Sequence, residues 1–183
     1  MLSPIERLLA YHCAPALAGI KPANLVSCAK DKSKSLSAEI RRLSNELSPR
    51  GITLEILCEC AGRALIMAYR RDLLSRCLSA PDMRRFLVEN GYPKEFSPEG
   101  YLETLKQRLS GKDFPHEIGA FLGYPLHDIR GFIDCPNGCI FTGEWKVYAE
   151  ADKARTLFRR YRDCRRAMAV RARSGESLCT ILQ

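Results

Sequence analysis

The chain has 183 residues, of which 46% are hydrophobic and 27% charged, and its formal net charge is +8. This composition is typical of a globular protein, and no apolar stretch approaches the roughly 20 residues that cross a bilayer. It therefore excludes a membrane-spanning protein and gives no reason to expect a membrane partner. The length predicts a single domain over residues 1–183 with a substantial core.

The first predicted element is a helix over about residues 4–13. Ser3, Pro4 and Glu6 have the pattern of a capping box with proline at the first helical position, and Glu6 lies where a signal peptide would carry a basic residue. The apolar run from Leu8 to Ile20 is therefore interpreted as part of the fold and not as an export signal. The chain also has nine cysteines, an odd number that cannot all pair internally, so we expect a cytoplasmic protein with reduced thiols.

Hydrophobic periodicity predicts the other elements in chain order, and the clearest sheet signal is a hairpin of two runs, 52–58 and 63–69, joined by a turn at 59–62. The remaining predicted elements are a strand at 24–28, a polar loop at 30–37, helices at 36–47, 72–78, 81–90, 98–109, 115–122 and 126–133, a strand at 144–149 and a helix at 151–173. This order predicts an α+β fold, in which helices cover a small mixed or antiparallel sheet of about four strands and a long basic C-terminal helix closes the chain.

The segment from His12 to Cys28, HCAPALAGIKPANLVSC, places polar and reactive side chains in a backbone restricted by two prolines and a glycine. Its polar and reactive members are His12, Cys13, Lys21, Asn24 and Cys28. A thiol beside a lysine or histidine can have its pKa lowered enough to act as a nucleophile, a redox centre or a metal ligand. The alternative is that the segment only routes the chain over the edge of the sheet, with both cysteines in the core.

Four cysteines outside that segment are weaker candidates for a metal site. Cys58 and Cys60 lie on one face of a predicted strand, and Cys135 and Cys139 bracket a Pro-Asn-Gly turn. Four thiolates could hold zinc or iron, although neither spacing is the diagnostic CxxC. The alternative is that these cysteines are ordinary small hydrophobic residues.

Residues 114–119, FPHEIG, predict the start of a helix with His116 and Glu117 side by side. The free N–H groups and the dipole there favour an anion and a neutral histidine, which suits a metal ligand or a phosphate site. Glu117 could equally be an ordinary first-turn acid. Residues 116–133 also fit the spacing of a helix-turn-helix, but the would-be recognition helix offers only His127 and Arg130 as base readers.

Residues 151–173 contain nine basic and two acidic residues, so this one segment accounts for seven of the eight net positive charges. At 100° per residue its apolar side chains share one face, and arginines occupy the opposite face. The arginines of this stripe are Arg155, Arg159, Arg162, Arg166 and Arg173. They could contact phosphates, nucleic acid or an acidic protein, or they could form a solvated outer face or pair with acids elsewhere in the fold.

Four blocks of the sequence resemble, in order and spacing, the bacterial family catalogued as domain of unknown function 3793. These blocks are ERLLAYHCAPALAGIKPANLVSC, FPHEIGAFLGYPLHDIRGFI, GEWKVYAEADKA and LFRRYRDC, and together they span nearly the full chain. The resemblance implies a stand-alone cytosolic bacterial protein and favours a redox or iron-linked role. It selects as site positions His12, Cys13, Lys21, Asn24, Cys28, His116, Glu117, Tyr124, Trp145, Lys146 and Tyr148. The turn with Cys135 and Cys139 departs from the family pattern, which weakens the four-thiolate site.

The leading hypothesis is one pocket, built from the segment 12–28, the helix start at 116–117 and the strand with Trp145, Lys146 and Tyr148. The pocket would bind a small anionic ligand or a transition metal. The catalytic candidates are His12, Cys13, Cys28, His116 and Glu117, with a cysteine as the reactive thiol or ligand, His116 as acid or base and Glu117 as its orienter. The ligand-binding candidates are Lys21, Asn24, Tyr124, Trp145, Lys146 and Tyr148.

The competing hypothesis is a nucleic-acid or protein-binding module that uses Arg155, Arg159, Arg162 and Arg166. The sequence leaves open whether the protein is an enzyme and which cofactor it would use.

Overall fold

The structure, a computed structural model, describes residues 2–29, 36–60, 62–111 and 113–183. Within these residues the elements are α1 (Pro4–His12), α2 (Ala14–Leu17), β1 (Ala23–Ala29), α3 (Leu36–Leu47), β2 (Ile52–Cys60), β3 (Arg63–Arg70), α4 (Arg71–Ser79), α5 (Pro81–Glu89), α6 (Pro98–Leu109), α7 (Ile118–Phe121), α8 (Leu126–Asp134), β4 (Phe141–Thr142), β5 (Lys146–Val147), α9 (Ala151–Arg173) and α10 (Leu178–Ile181). The predicted α+β class is confirmed. Most of the predicted loop at 30–37 and residue 61 of the predicted turn lie outside the described residues.

The described strands form two antiparallel sheets, one of three strands in the order β1-β3-β2 and one of the pair β4-β5. In the larger sheet, β1 and β2 flank β3, with Ala23 opposite Tyr69 and Ile52 opposite Arg70. The register of β2 shifts between Ile56 and Cys58, which is a bulge at Leu57. Because an extra residue inverts the alternation of side chains, Cys58 pairs with Leu65 and lies on the face opposite to Ile56, whereas in a regular strand the two would share a face.

Both faces of the three-stranded sheet are buried, because a separate hydrophobic core covers each face. Helices α1, α2, α3 and α10 and the C-terminal part of α9 pack on one face. The first core includes Leu9, Leu17, Leu43, Leu47, Ile66 and Met168. The helices from α4 to α8 cover the other face, and the second core includes Leu57, Met67, Leu87, Tyr101 and Phe121. Each large side chain buried in this way stabilises the fold by about 1.5–3 kcal/mol.

The first half of α9 packs on the small β4–β5 hairpin through a third cluster with Trp145, Phe158 and Tyr161. Gly143 makes this approach possible, because a Cβ atom at that position would lie 2.3 Å from the ring of Phe158. The second half of α9 contacts α1 in the first core. Helix α9 therefore joins the hairpin to the N-terminal segment, and this connection places residues from both regions around one space.

Two predicted elements are shorter than the sequence indicated. The helix predicted at 115–122 is only α7, so His116 and Glu117 precede the helix. The strand predicted at 144–149 ends after Val147, because the Asp128 carboxylate accepts hydrogen bonds from the N–H groups of residues 148 and 149, at 2.7 and 3.3 Å. Among the helices of the described ranges, none has the length and apolar character of a membrane span.

Candidate functional site

Lys21 is a buried lysine in the wall of a cavity of about 480 Å³, which we call the lysine cavity. Only 3% of the residue is exposed. Its backbone is fixed by the turn after α2, where Gly19 adopts a positive φ of 73° and the Lys21 N–H donates to the carbonyl of Pro15 at 3.2 Å. Arg70 completes the turn by donating to the carbonyls of Ala16 and Leu17, at 3.3 and 2.5 Å. The lysine is therefore held at a defined place between α2 and β1.

The Lys21 ammonium lies between two tyrosine rings. Its Nζ atom is 5.1 Å from the ring centroid of Tyr124 and 5.6 Å from that of Tyr161. Within the ranges that the structure describes, no hydrogen bond or ion pair is found for this ammonium. Burial lowers the pKa of Lys21 to about 8, and the nearby Glu144 carboxylate partly opposes that fall. In the described part of the chain, this cation therefore lies between two ring faces and has no ion-pair partner.

Glu144 and Arg165 form an ion pair in the same wall. The Arg165 guanidinium donates two hydrogen bonds to the two carboxylate oxygens of Glu144, one of them at 2.7 Å between Nη1 and Oε1. This bidentate pairing holds both side chains in place. Since the two charges of the pair oppose each other, Lys21 is left without an ion-pair partner among the described residues.

The remaining wall of the lysine cavity comes from α1 and β1. His12 is the last residue of α1 and is exposed, and its ring packs edge-on against Tyr11 at a centroid distance of 4.9 Å. Asn24 is buried, and its Oδ1 atom accepts a hydrogen bond from the Ala16 N–H at 3.0 Å. This bond fixes the amide plane, so the NH₂ group of Asn24 is a positioned donor in the cavity that Lys21 also lines.

A second cavity of about 380 Å³, which we call the tryptophan cavity, adjoins the first. Leu25, Leu122, Tyr124 and Glu144 line both cavities. The other lining residues include His116, Ile118, Ile129, Phe132, Trp145 and Lys146. Trp145 stacks on Tyr124 with ring centroids 4.6 Å apart and donates to Asp128 at 2.7 Å, so its indole is fixed. The tryptophan cavity is mostly apolar, whereas the lysine cavity is polar.

A family model described as Protein of unknown function (DUF3793) matches residues 9–182. The chain belongs to this family. The resemblance predicted from the four sequence blocks is thereby confirmed over nearly the full chain. No curated protein and no solved structure matches the chain.

Seven of the eleven DUF3793 positions predicted as site residues line one or both of the two cavities. The lysine cavity is lined by His12, Lys21, Asn24 and Tyr124, and the tryptophan cavity by His116, Tyr124, Trp145 and Lys146. The cysteines of the first block do not line either cavity. The two predicted walls of one pocket, the N-terminal segment and the hairpin, therefore meet at Tyr124.

Cys13 and Cys28 lie apart from the cavities. Cys13 is 0% exposed, and burial raises its pKa to about 12, although Lys21 and Arg165 act in the opposite direction. Cys28 is near the far end of β1, opposite Ala64, and lines a separate depression beside α1 and α3. Burial raises the pKa of Cys28 as well. These surroundings do not support the predicted reactive thiol, because the thiol form and not the thiolate is favoured at neutral pH.

Glu117 does not orient His116. Its buried carboxylate accepts hydrogen bonds from the Tyr92 hydroxyl at 3.2 Å and from Nε of Arg108, on the side of the second core. His116 instead packs edge-on against Phe132, with ring centroids 5.0 Å apart. Since α7 has four residues, the predicted anion site at a helix start is not formed here.

Tyr148 and Lys146 both bind the turn at residues 135–139, and of the two only Lys146 also lines the tryptophan cavity. The Tyr148 hydroxyl donates to the carbonyl of Cys135 at 3.0 Å, and Nζ of Lys146 donates to that of Pro136 at 2.7 Å. Gly131 lies directly under Tyr148, where a Cβ atom would be 2.4 Å from the ring. Lys146 still lines the tryptophan cavity, but its ammonium already has a partner.

The metal site predicted from four cysteines stays a prediction, because the side chain of Cys60 lies outside the described residues. Among the described residues, no group of three or more His, Cys, Asp or Glu side chains could hold a metal ion. Cys135 is exposed and Cys139 lies 3.8 Å from the Thr142 hydroxyl, whereas Cys58 is half-buried in β2.

The arginine stripe is exposed along α9. Arg155 pairs with Asp152 at 3.3 Å and lies over the Phe141 ring. For Arg159, Arg162 and Arg166, the described part of the chain offers no ion pair. The three are therefore exposed cations on one helix face.

A helix-turn-helix at 116–133 is not supported. Its first helix would be the four-residue α7, whose side chains are buried. The two proposed base readers lie near acids, with His127 at 3.5 Å from Asp128 and Arg130 at 3.7 Å from Glu89.

Three residues of the lysine cavity and its surroundings were not selected from the sequence. In the sequence, Tyr161 belongs to the apolar face of the predicted C-terminal helix, Arg165 is one of the nine basic residues of that helix, and Glu144 is the first residue of a predicted strand. The structure places Tyr161 against Lys21, and Arg165 and Glu144 in the wall of the lysine cavity. The spacing of α9 contained a signal, because Arg165 follows Phe158 and Tyr161 at intervals of seven and four and therefore shares their face. An arginine on the buried face of a helix requires an acid partner, and that partner is Glu144.

Proposed function

We propose that this protein binds a small anionic ligand in the lysine cavity, with Lys21 as the group that compensates the charge of the ligand. The observation that carries the proposal is a buried ammonium that lines a cavity and has no acid bound to it in the described residues. Removing a charge from water costs several kcal/mol unless it is paired, and each tyrosine face returns only about 1–2 kcal/mol. A bound anion would supply the missing compensation.

The neighbours of Lys21 are suited to hold such an anion. The NH₂ group of Asn24 is a fixed donor, and the exposed His12 can donate at the rim of the cavity. Arg165 binds the Glu144 carboxylate, so that Glu144 does not pair with the Lys21 ammonium. Because the pKa of Lys21 is about 8, the lysine is mainly charged at neutral pH. We therefore propose an anion site. The transition-metal and redox versions of the hypothesis use Cys13 or Cys28, and neither cysteine lines the lysine cavity.

A direct test is calorimetric titration at low ionic strength with acetate, succinate, citrate and inorganic phosphate. The test compares the natural protein with Lys21→Met and with Lys146→Met, a matched control whose ammonium already binds the Pro136 carbonyl. We expect saturable binding that weakens at least tenfold in Lys21→Met and changes less than threefold in Lys146→Met. Affinity should also fall as the pH rises above about 8, because Lys21 then loses its proton. No binding of any of these anions, or equal binding by both variants, would contradict the proposal.

A second candidate function is nucleic-acid binding through Arg159, Arg162 and Arg166, which are exposed and have no ion pair among the described residues. Three phosphate contacts would give a slope of about −2 to −3 in a plot of log affinity against log salt. Generic duplex DNA and single-stranded RNA at low salt are the probes, and the double variant Arg159→Glu, Arg162→Glu should abolish the binding. If the natural protein binds neither probe, an acidic protein remains as the partner that this face would fit.

We also propose a cytoplasmic location. Seven cysteines of the described residues are free thiols, which suits a reducing compartment; these are Cys13, Cys28, Cys77, Cys135, Cys139, Cys164 and Cys179.

A further inference from the structure

The tryptophan cavity has a mostly apolar lining, and its charged groups are already engaged. The Asp128 carboxylate accepts from the Trp145 indole and from two backbone N–H groups, and Lys146 donates to the carbonyl of Pro136. Two further polar side chains line the cavity: the Glu144 carboxylate, which Arg165 binds, and the His116 ring, which packs edge-on against Phe132. The rest of the lining is aliphatic and aromatic apart from Gly119. Such a space favours an apolar group, because hydrocarbon gains about 0.8 kcal/mol for each CH₂ that it buries.

The two cavities adjoin along a shared boundary, and Tyr124 is its central residue. The centroid of the Tyr124 ring lies 5.1 Å from Nζ of Lys21, and the ring also stacks on Trp145 at a centroid distance of 4.6 Å. Leu25, Leu122 and Glu144 complete the boundary. A molecule with its charge beside Lys21 would therefore have the apolar space directly next to it.

We infer that the ligand is an amphipathic organic carboxylate, whose charged head lies beside Lys21 and whose aliphatic or aromatic body lies in the tryptophan cavity. This inference rests on the proposed function, because it assigns the head of the ligand to the lysine cavity. An inorganic anion would leave the apolar space of about 380 Å³ unused, and a neutral hydrocarbon would leave the ammonium without a counter-charge. Only a molecule with both parts satisfies both cavities.

Trp145 is the only tryptophan of the chain and lines the apolar space, so its fluorescence reports on the ligand body. The experiment titrates the full chain with linear carboxylates from acetate to decanoate, below their micelle concentrations, and with phenyl-substituted acids of matched length. We expect affinity to rise about fourfold for each added CH₂ until the cavity is filled, with a change in Trp145 emission from the first acids that reach it. The phenyl series distinguishes an aromatic from an aliphatic body.

Further variants and a series of alcohols distinguish the contribution of the charged head of the ligand to binding from that of its apolar body. Phe132→Asp places a carboxylate in the wall of the tryptophan cavity and should remove the dependence on chain length while acetate still binds. Ile133→Asp is the matched control, since the neighbouring Ile133 is 41% exposed and does not line the cavity. Primary alcohols of the same lengths should bind at least tenfold more weakly than the acids, and Lys21→Met should remove that difference. Circular dichroism checks that each variant is folded.

The outcomes distinguish the inference from the proposed function. If acetate binds through Lys21 and longer acids bind no more tightly, the body of the ligand is not in the tryptophan cavity and the inference is overturned, whereas the anion site stands. If no acid of any length binds, the proposed function fails first. If alcohols bind as tightly as acids, the cavity takes an uncharged molecule, and the inference is overturned as well.

Discussion

Lys21 and Glu117 are both buried charges, and they differ in what compensates them. The Glu117 carboxylate accepts hydrogen bonds from the Tyr92 hydroxyl and the Arg108 guanidinium, and it lines neither the lysine cavity nor the tryptophan cavity. The Lys21 ammonium contacts two ring faces and lines the lysine cavity. The first charge is paired within the protein, whereas the second has no ion-pair partner in the ranges that the structure describes.

The comparison gives a physical criterion for separating structural from ligand-binding charges in a protein. A carboxylate with two protein donors stabilises its surroundings, and its removal leaves those donors unpaired. A buried ammonium with no acid bound to it destabilises the fold, so its removal should have the opposite sign. Stability measurements on single variants can therefore test the assignment before any ligand is known.

The largest effect is expected for Glu117→Ala. The change leaves the buried Tyr92 hydroxyl without its acceptor and the Arg108 guanidinium without its carboxylate, so we expect the free energy of unfolding to fall by about 3–4 kcal/mol. Urea denaturation at pH 7 measures it. Glu95→Ala is the control, because Glu95 is exposed, and it should change stability by less than about 0.5 kcal/mol. A loss in Glu117→Ala as small as that of the control would break the comparison.

A gain in stability is expected for Lys21→Met. The fall of the Lys21 pKa from 10.5 to about 8 corresponds to roughly 3 kcal/mol of destabilisation in the charged state. Below pH 8 both the folded and the unfolded chain carry the proton, so this cost is fully present. Between pH 8 and 10.5 the unfolded chain binds more protons, so the stability of the natural protein rises with pH and the cost disappears.

The variant should therefore be about 2–3 kcal/mol more stable than the natural protein at pH 7 and about equal to it at pH 10.5. Urea denaturation at several pH values measures the difference. Lys94→Met, at an exposed lysine, serves as the control and should show neither the gain nor the pH dependence. If Lys21→Met is less stable than the natural protein at pH 7, then Lys21 is compensated within the protein, and the distinction from Glu117 is lost.

Cys13 provides a sharper test, because a thiolate there would compensate Lys21. Because burial removes the Cys13 thiol from solvent and raises its pKa to about 12, it should be alkylated at pH 8 much more slowly than the exposed Cys135, and the difference should vanish in urea. Mass spectrometry of iodoacetamide-treated peptides measures both rates. We expect Cys13→Ala to cost only about 1 kcal/mol, the loss of a small buried group. Alkylation of both cysteines at equal rates in the folded protein would show that Cys13 is an accessible thiolate.

Much of the fold could be predicted from the sequence, because local signals determine it. Helix α6 has the predicted bounds, since Ser97 accepts from the Gly100 N–H and Pro98 occupies the first helical position. The hairpin of β2 and β3 follows from its β-rich runs. The shortened strand near 148 could not be predicted, because the cause is a carboxylate twenty residues earlier in the chain, at Asp128.

For the same reason, the candidate site could be predicted from the sequence only in part. The structure places His12, Lys21 and Asn24 around one cavity, and these residues are close in sequence. Helical spacing places Arg165 on the buried face of α9, but only the packing of α9 on the hairpin brings Glu144 to it, and no local pattern encodes that packing. Burial decides the character of Cys13, and burial is a property of the whole fold.

The smallest effect is expected for the double variant Arg159→Ser, Arg162→Ser. Water already solvates these exposed charges, and no ion pair for them is found among the described residues, so the free energy of unfolding should change by less than about 0.5 kcal/mol. Urea denaturation checks this value. A loss above about 1 kcal/mol would show that the arginines bind another part of the protein and belong with Glu117 as structural charges. A neutral result leaves the arginine stripe as a third kind of charge, compensated by solvent alone, and allows any loss of nucleic-acid binding in the variant to be attributed to the interface.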